Sequence, residues 1–241
     1  MILNVRPAFY RDATHRAWGH LGLPIVDAPL LVPQKIPSAV PAAIQFDAIV
    51  FTSQLAVDAF DATDAWREKR VFAVGAATAL AATNAGYREV VCTGQDAADL
   101  TATLAADRSL RVIYPSAVEV AADLARAFPD RVTRVPVYRT DISPELPSAV
   151  VQELRAASYV FVPLLSRRSA RAAQLAFTNA GLSRATVNAT SVAISLAALD
   201  MSDRAPWRAQ TVAAEPTVAG VAEEIARHAG SLMAGSLMKA A

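Results

Sequence analysis

The stretch Val132-Thr133-Arg134-Val135-Pro136-Val137-Tyr138-Arg139-Thr140-Asp141 decides how the rest of the chain is read. It is a long β-like run that ends in Ile142-Ser143-Pro144, before a helix predicted from about Pro147 to Ala156. A matching interruption lies upstream, where Pro29, Pro33, Pro37 and Pro41 punctuate Val26 to Ala48. Proline fixes φ, removes a donor and restricts the residue before it, so that segment is extended rather than helical. One stretch leaves a domain and the other returns to it. The first domain is therefore discontinuous: residues 1–32 pair with 143–241, residues 38–133 fold as an insert, and 33–37 with 134–142 are linker strands.

Outward from these crossings, short β-branched runs alternate with Ala- and Leu-rich amphipathic segments, the pattern of an α/β protein with parallel sheets. Strands are predicted at Ile2–Val5, Leu23–Val26, Ala48–Phe51, Val71–Val74, Glu89–Cys92, Arg111–Tyr114, Val132–Tyr138, Tyr159–Val162, Ala185–Ala189 and Gln210–Ala213. A helix is predicted over Ala117–Phe128, where apolar residues recur at three- and four-residue intervals. Internal similarity joins the halves: Phe51 to Val57 resembles Val162 to Ala170, and Ala73 to Leu80 resembles Ala189 to Leu196. The expected fold is thus two similar parallel-sheet, flavodoxin-like domains on a two-stranded β linker, with a cleft between them. The tail from Gly230 to Lys239 is read as a frayed extension.

Composition removes several functions. The 241 residues carry 23 basic and 22 acidic side chains, a net charge of +1, and are 54% hydrophobic. No one-sided Lys/Arg cluster is present, so nucleic acid is not an expected partner and any anion must be held locally. One cysteine and three histidines exclude an internal disulfide and standard zinc spacing, which fits a reducing compartment. Cys92 is read as a small buried residue at a strand end, and His15, His20 and His228 as solvated or amphipathic-face residues. Neither a secretory leader nor an apolar run of about 20 residues is found, so the expectation is a cytoplasmic protein with no membrane partner. Glycine-rich phosphate loops, the serine-hydrolase elbow and the His-Glu-x-x-His zinc motif are all missing.

What recurs is a small hydroxyl residue or glycine where a strand's carboxyl end meets a helix start: Thr52-Ser53, Gly75 with Thr78, Ser116, Ser166 with Ser169, and Ser191. In parallel sheets ligands bind outside these strand ends, and free N–H groups with the helix dipole favour anions there. The same residues are also the commonest helix caps, each worth about 1 kcal/mol with no ligand. Arg6, at the end of the first strand, reaches the same edge or covers apolar neighbours. Tyr138 is either an aromatic packed on the linker or a phenol able to hydrogen-bond a leaving hydroxyl.

The order Val5-Arg6-Pro7, Phe51-Thr52-Ser53 with Ala56-Val57, Ala73-Val74-Gly75 with Thr78-Ala79, Val135-Pro136-Val137-Tyr138 with Thr140, Ser166 with Arg168-Ser169-Ala170, and Glu215-Pro216-Thr217 resembles the uroporphyrinogen-III synthase family over nearly the whole chain. The resemblance implies two α/β domains on a β ladder. It implies a cofactor-free, monomeric lyase whose substrate is the linear tetrapyrrole hydroxymethylbilane, closed with loss of water and inversion of the last pyrrole. Tyr138 matches the tyrosine that would assist hydroxyl departure, Thr52, Ser53, Thr78, Ser166 and Ser169 match positions facing the cleft, and Arg6 matches the early arginine. Leu55, Arg167 and Ile194 depart from the residues common at those positions, and Ser195 is expected to point about 100° away from Ile194. The rival reading is a non-enzymatic two-lobed module that captures a small anionic metabolite.

Overall fold

A computed structural model of the chain describes residues 1–94, 97–120, 123–202 and 205–240. In chain order the elements are β1 (Ile2–Asn4), α1 (Arg11–Trp18), β2 (Ile25–Asp27), β3 (Leu31–Lys35), β4 (Ala48–Phe51), α2 (Gln54–Ala59), α3 (Asp64–Arg67), β5 (Arg70–Ala73), α4 (Ala76–Asn84), β6 (Glu89–Cys92) and α5 (Ala97–Ala106). They continue as β7 (Val112–Ala117), α6 (Leu124–Ala127), β8 (Val132–Ile142), α7 (Ser148–Ala156), β9 (Val160–Leu164), α8 (Arg167–Asn179), β10 (Ala189–Ala193), α9 (Leu196–Asp200), β11 (Ala209–Val212) and α10 (Val218–Ala240).

The chain divides into two compact units, Met1–Val32 with Asp141–Ala241, and Pro33–Thr140. The first holds a sheet in the order β11-β10-β9-β1-β2, the second a sheet in the order β3-β8-β7-β4-β5-β6. Within each, the central strands pair in parallel. The β3–β8 ladder runs the other way: Ile36 N–H donates to the Val137 carbonyl and Ser143 N–H to the Leu30 carbonyl, so one strand ascends as its partner descends.

Parallel strands covered on both faces bury every residue, and their alternation assigns successive side chains to opposite cores. In β4, Ile49 and Phe51 enter one core with Trp66 and Val137, while Ala48 and Val50 enter the other with Leu100 and Leu104. In β9, Val160, Val162 and Leu164 pack with Phe177 and Trp207, while Phe161 turns to Trp18 and Ile225.

Strand order reveals how the two halves are related. Counted within the first unit, the order is second, first, third, fourth, fifth, the flavodoxin-like arrangement. The second unit reproduces it if β7 and β8 stand for β1 and β2, and β4, β5 and β6 stand for β9, β10 and β11. Each sequence copy therefore contributes its first two sheet strands to the other copy's sheet. This reciprocal exchange is the topological reason for the two-way crossing.

Several expectations change. The strand expected at Ala185–Ala189 is instead Ala189–Ala193. Ala117 ends β7 rather than opening a helix, and only Leu124–Ala127 of the expected segment is helical. Ala121 and Ala122, in the middle of that expected helix, lie outside the described residues. Cys92 is exposed, because β6 is an edge strand. The tail read as a frayed extension continues α10 to Ala240. No helix is long and apolar enough to cross a membrane among the described residues.

Tyr87 packs edge-on against Phe51, and its buried hydroxyl has no hydrogen-bond partner among the described residues. Burial pushes its ionisation well above the ordinary phenol range, against a smaller opposing pull from Arg67. The unfolded phenol ionises near pH 10 while the native one keeps its proton. Stability present below pH 10 is therefore lost as the pH rises further. Tyr87→Phe is expected to change stability by less than about 1 kcal/mol at neutral pH. Urea unfolding should show a shallower loss of stability above pH 10 than in the wild type.

Candidate functional site

Parallel pairing brings the carboxyl ends of β4, β7 and β8 to one edge of the second unit, with β4 and β7 adjacent at the point where the strand order reverses. Such switch points are where open α/β sheets hold ligands. Thr52 and Ser53 follow β4 directly. Ser53 has extended backbone, so its Oγ accepts from the Ala56 N–H at 3.1 Å and caps α2. The same Oγ lies 3.1 Å from the Tyr138 hydroxyl of β8, and Thr52 Oγ1 lies 3.3 Å from the Tyr114 hydroxyl of β7. Two phenol–hydroxyl pairs thus stand on neighbouring residues.

Tyr138 is 9% exposed. Burial pushes its phenol pKa above the ordinary value, nearby Tyr114 adds to this, and the Ser53 hydrogen bond opposes it. The phenol is neutral at physiological pH and able to donate a hydrogen bond, while its anion is disfavoured.

Gly75 caps α4 with φ of 77°, a left-handed conformation that favours glycine. Its N–H donates to the Gly94 carbonyl at 2.8 Å, and no side chain caps this helix. Thr78 is buried within the first turn of α4.

Ser116 does not lie at a helix start. It is buried in β7, where its Oγ donates to the Ala117 carbonyl and accepts from Arg134 Nε at 2.9 Å. Arg134 also reaches the Ala117 carbonyl and Asp123 Oδ2, closing the irregularity in the β7–β8 register. These contacts occupy the hydroxyl.

In the first unit, Ser166 and Ser169 form a reciprocal capping box at α8: each Oγ accepts the other's backbone N–H at 3.0 Å. Ser191 is a correction. It lies fully buried inside β10, and its Oγ has no partner among the described residues. The residue at that strand–helix junction is Ser195, whose Oγ accepts from the Ala198 N–H and caps α9. Gly75 therefore corresponds to Ser195, four residues beyond the match drawn from sequence. Thr217 Oγ1 likewise accepts from the Gly220 N–H at 2.9 Å ahead of α10.

Arg6 follows β1. Its Nη1 donates to Thr14 Oγ1 at 2.9 Å, and its guanidinium lies 4.7 Å from the Tyr10 ring centroid. Sequence reading gave no site role to Tyr114 or Arg134, no capping role to Ser195, and did not group His15 with Asp27. Ser195 carried a legible signal, a serine opening the run Leu196-Ala197-Ala198-Leu199. The other three depend on contacts between distant residues. No group of His, Cys, Asp or Glu suited to a metal ion is found among the described residues.

Fold and site together define a class: a two-unit, parallel-sheet α/β protein with reciprocally exchanged strands, whose hydroxyls and helix starts collect at the carboxyl edges of its sheets. A sequence model described as Uroporphyrinogen-III synthase HemD matches residues 12–223, and the chain belongs to that enzyme family. A search of curated proteins gives no match. Among solved structures, the chain is similar to the wild-type uroporphyrinogen III synthase of the extremely thermophilic bacterium Thermus thermophilus, at 16% identity over 96% of this chain and 98% of that one, with a TM-score of 0.42. A mutant selenomethionine form of that synthase gives 12% identity over 95% and 98%, with a TM-score of 0.45.

Ser53→Ala removes both a helix cap and the hydrogen bond that favours the Tyr138 anion. Denaturant unfolding is expected to show a loss of about 1 kcal/mol. Ultraviolet titration, with Tyr138→Phe as the reference, should place Tyr138 ionisation at still higher pH. An unchanged titration would contradict the coupling.

Proposed function

We propose that this chain is a cofactor-independent lyase that converts hydroxymethylbilane to uroporphyrinogen III, closing the ring with loss of water and inversion of the last pyrrole. The observation that carries this reading is the neutral Tyr138 phenol beside Ser53 at the switch point of a parallel sheet. An electron-rich pyrrole expels a hydroxymethyl oxygen readily once that oxygen is protonated. The pyrrole nitrogen supplies electron density as the carbon–oxygen bond breaks, and Tyr138 donates a hydrogen bond to the departing oxygen. A phenol whose anion is disfavoured suits donation rather than proton abstraction. Ser53 orients it. The substituted carbon of the last pyrrole attacks the resulting cation to give a spiro centre, the older carbon–carbon bond from that centre to the chain breaks, and the cation left on the chain is captured by the last pyrrole's free carbon, which then loses its proton.

The substrate carries eight carboxylates, and a chain of net charge +1 meets them without a lysine patch. Backbone N–H groups at helix starts and nearby hydroxyls take that role. At Gly75 no side chain occupies the start of α4. Thr52, Ser53 and Thr78 line the second unit's edge in this reading, with Ser166, Ser169 and Ser195 on the first unit's. Most of the acceleration comes from holding a flexible chain in one folded pose, so that the inverting closure outruns simple cyclisation.

Chromatography of the product tests the reading. Purified protein incubated with hydroxymethylbilane should yield mainly the type III isomer, whereas type I alone, the spontaneous product, would refute the activity. Tyr138→Phe is expected to lower kcat about 10- to 100-fold with little change in KM. Unchanged kcat would remove the phenol from the mechanism.

A further inference from the structure

At the carboxyl ends of β1 and β2, a cavity of about 300 Å³ is lined by Asn4, Arg6, Ala8, Arg11, Asp27 and Pro29. It sits at the end of β1, the strand that adjoins β9 where the first unit's strand order reverses. Its electrostatics are unbalanced. Two guanidiniums line the cavity with one carboxylate, and that carboxylate is already committed. Asp27 Oδ2 lies 2.9 Å from both Arg11 Nε and His15 Nε2, while Oδ1 accepts from Asn4 Nδ2 at 2.7 Å.

Arg6 forms no ion pair among the described residues. It is nevertheless held firmly. Thr14, itself fully buried and donating to the Tyr10 carbonyl, accepts from Nη1, and the Tyr10 ring supports the guanidinium face. Asn4 Oδ1 accepts the Arg6 backbone N–H at 3.2 Å, so the same side chain that steadies Asp27 also fixes the start of this loop. A partly buried arginine with an oriented fork and no carboxylate is suited to bidentate recognition of one.

Beside it the surface changes character. Phe9 stands edge-on to Tyr10, with centroids 5.1 Å apart, and remains 46% exposed. It follows Ala8, which lines the cavity. Phe9 adjoins the Tyr10 ring that carries the Arg6 guanidinium, and an exposed aromatic one ring away from a cation offers one ligand both a ring platform and an anion site. The volume lies at the lower end of small-molecule sites, enough for one ring with its arms rather than four.

We propose that this cavity is a subsite for a single carboxylate-bearing pyrrole ring, Arg6 gripping the carboxylate and Phe9 lying along the ring face. The proposal rests on the tetrapyrrole reading above and assigns one ring of that substrate to the first unit. Arg11 contributes by neutralising Asp27, which would otherwise repel the ligand.

The test is an NMR titration of the full chain with a monopyrrole bearing one acetate and one propionate arm. Its dimethyl ester and glutarate serve as controls for charge and ring. The diacid is expected to bind at least about tenfold more tightly than the ester, and also more tightly than glutarate. Arg6→Gln should weaken the diacid by a similar factor. Phe9→Ala and Arg11→Gln alter exposed side chains and guard against a folding artefact. The first should weaken the pyrrole roughly threefold without affecting glutarate, and the second should weaken both acids. Equal binding of the diacid to wild type and Arg6→Gln, or glutarate binding as tightly as the pyrrole, would overturn the proposal. Type III product without monopyrrole binding would sink this subsite alone. Monopyrrole binding without type III product would sink the activity alone.

Discussion

Parallel strand pairing is the constraint on which the rest depends. When neighbouring strands run the same way, all their carboxyl ends finish on one edge, and each return helix begins there with unpaired N–H groups. Small hydroxyl residues and Gly75 occupy those turns because the turn must satisfy or expose these donors in little space. The edge is therefore polar through hydroxyls and amides, with Arg6, Arg11 and Asp27 added at the first unit's β1 and β2 ends. For a chain of nearly zero net charge, this is a physical route to holding a polyanion.

The exchanged strands place chemistry on that edge. Because β7 and β8 of the second copy complete the sheet of β4, β5 and β6, Tyr114 and Tyr138 arrive beside Thr52 and Ser53 from a different part of the chain. The same exchange places β1, with Arg6 at its end, beside β9. Burial within the sheet keeps Tyr138 protonated, and the single hydrogen bond from Ser53 limits how far its ionisation rises. Arg134 supports the arrangement by binding the carbonyl of Ala117, while Val118 N–H donates to the Tyr138 carbonyl.

The architecture was legible because parallel strands need both faces apolar and their crossovers need helices, so runs such as Ala48–Phe51 and Tyr159–Val162 stand out. The prolines between Val26 and Ala48 marked the outward crossing for the same local reasons. Strand exchange was not legible, since pairing partners leave no trace in local pattern. Ser191 was misplaced because Ala189-Thr190-Ser191-Val192-Ala193 is a weak strand signal that resembles a helix start. Its burial depends on covering elements: it shares the strand face of Ala189 and Ala193, which pack into the core of Phe177 and Trp207. Ser116 showed a serine after a strand-like run, but the irregular register at Ala117 and the reach of Arg134 from β8 turn that position inward. Capping residues such as Ser53 and Ser166 were readable, because a cap is made within four consecutive residues.

The central claim is that ligand contacts gather at the carboxyl edges of both sheets. Amide hydrogen exchange on the full chain, with and without uroporphyrinogen III, tests it most directly. The account predicts slowed exchange at Ser53–Ala56, Gly75–Thr78, Ser166–Ala170 and Ser195–Ala198, where strands give way to helices. Slowing confined to the opposite edges, around Asp47, Arg111 and Tyr159, would contradict it.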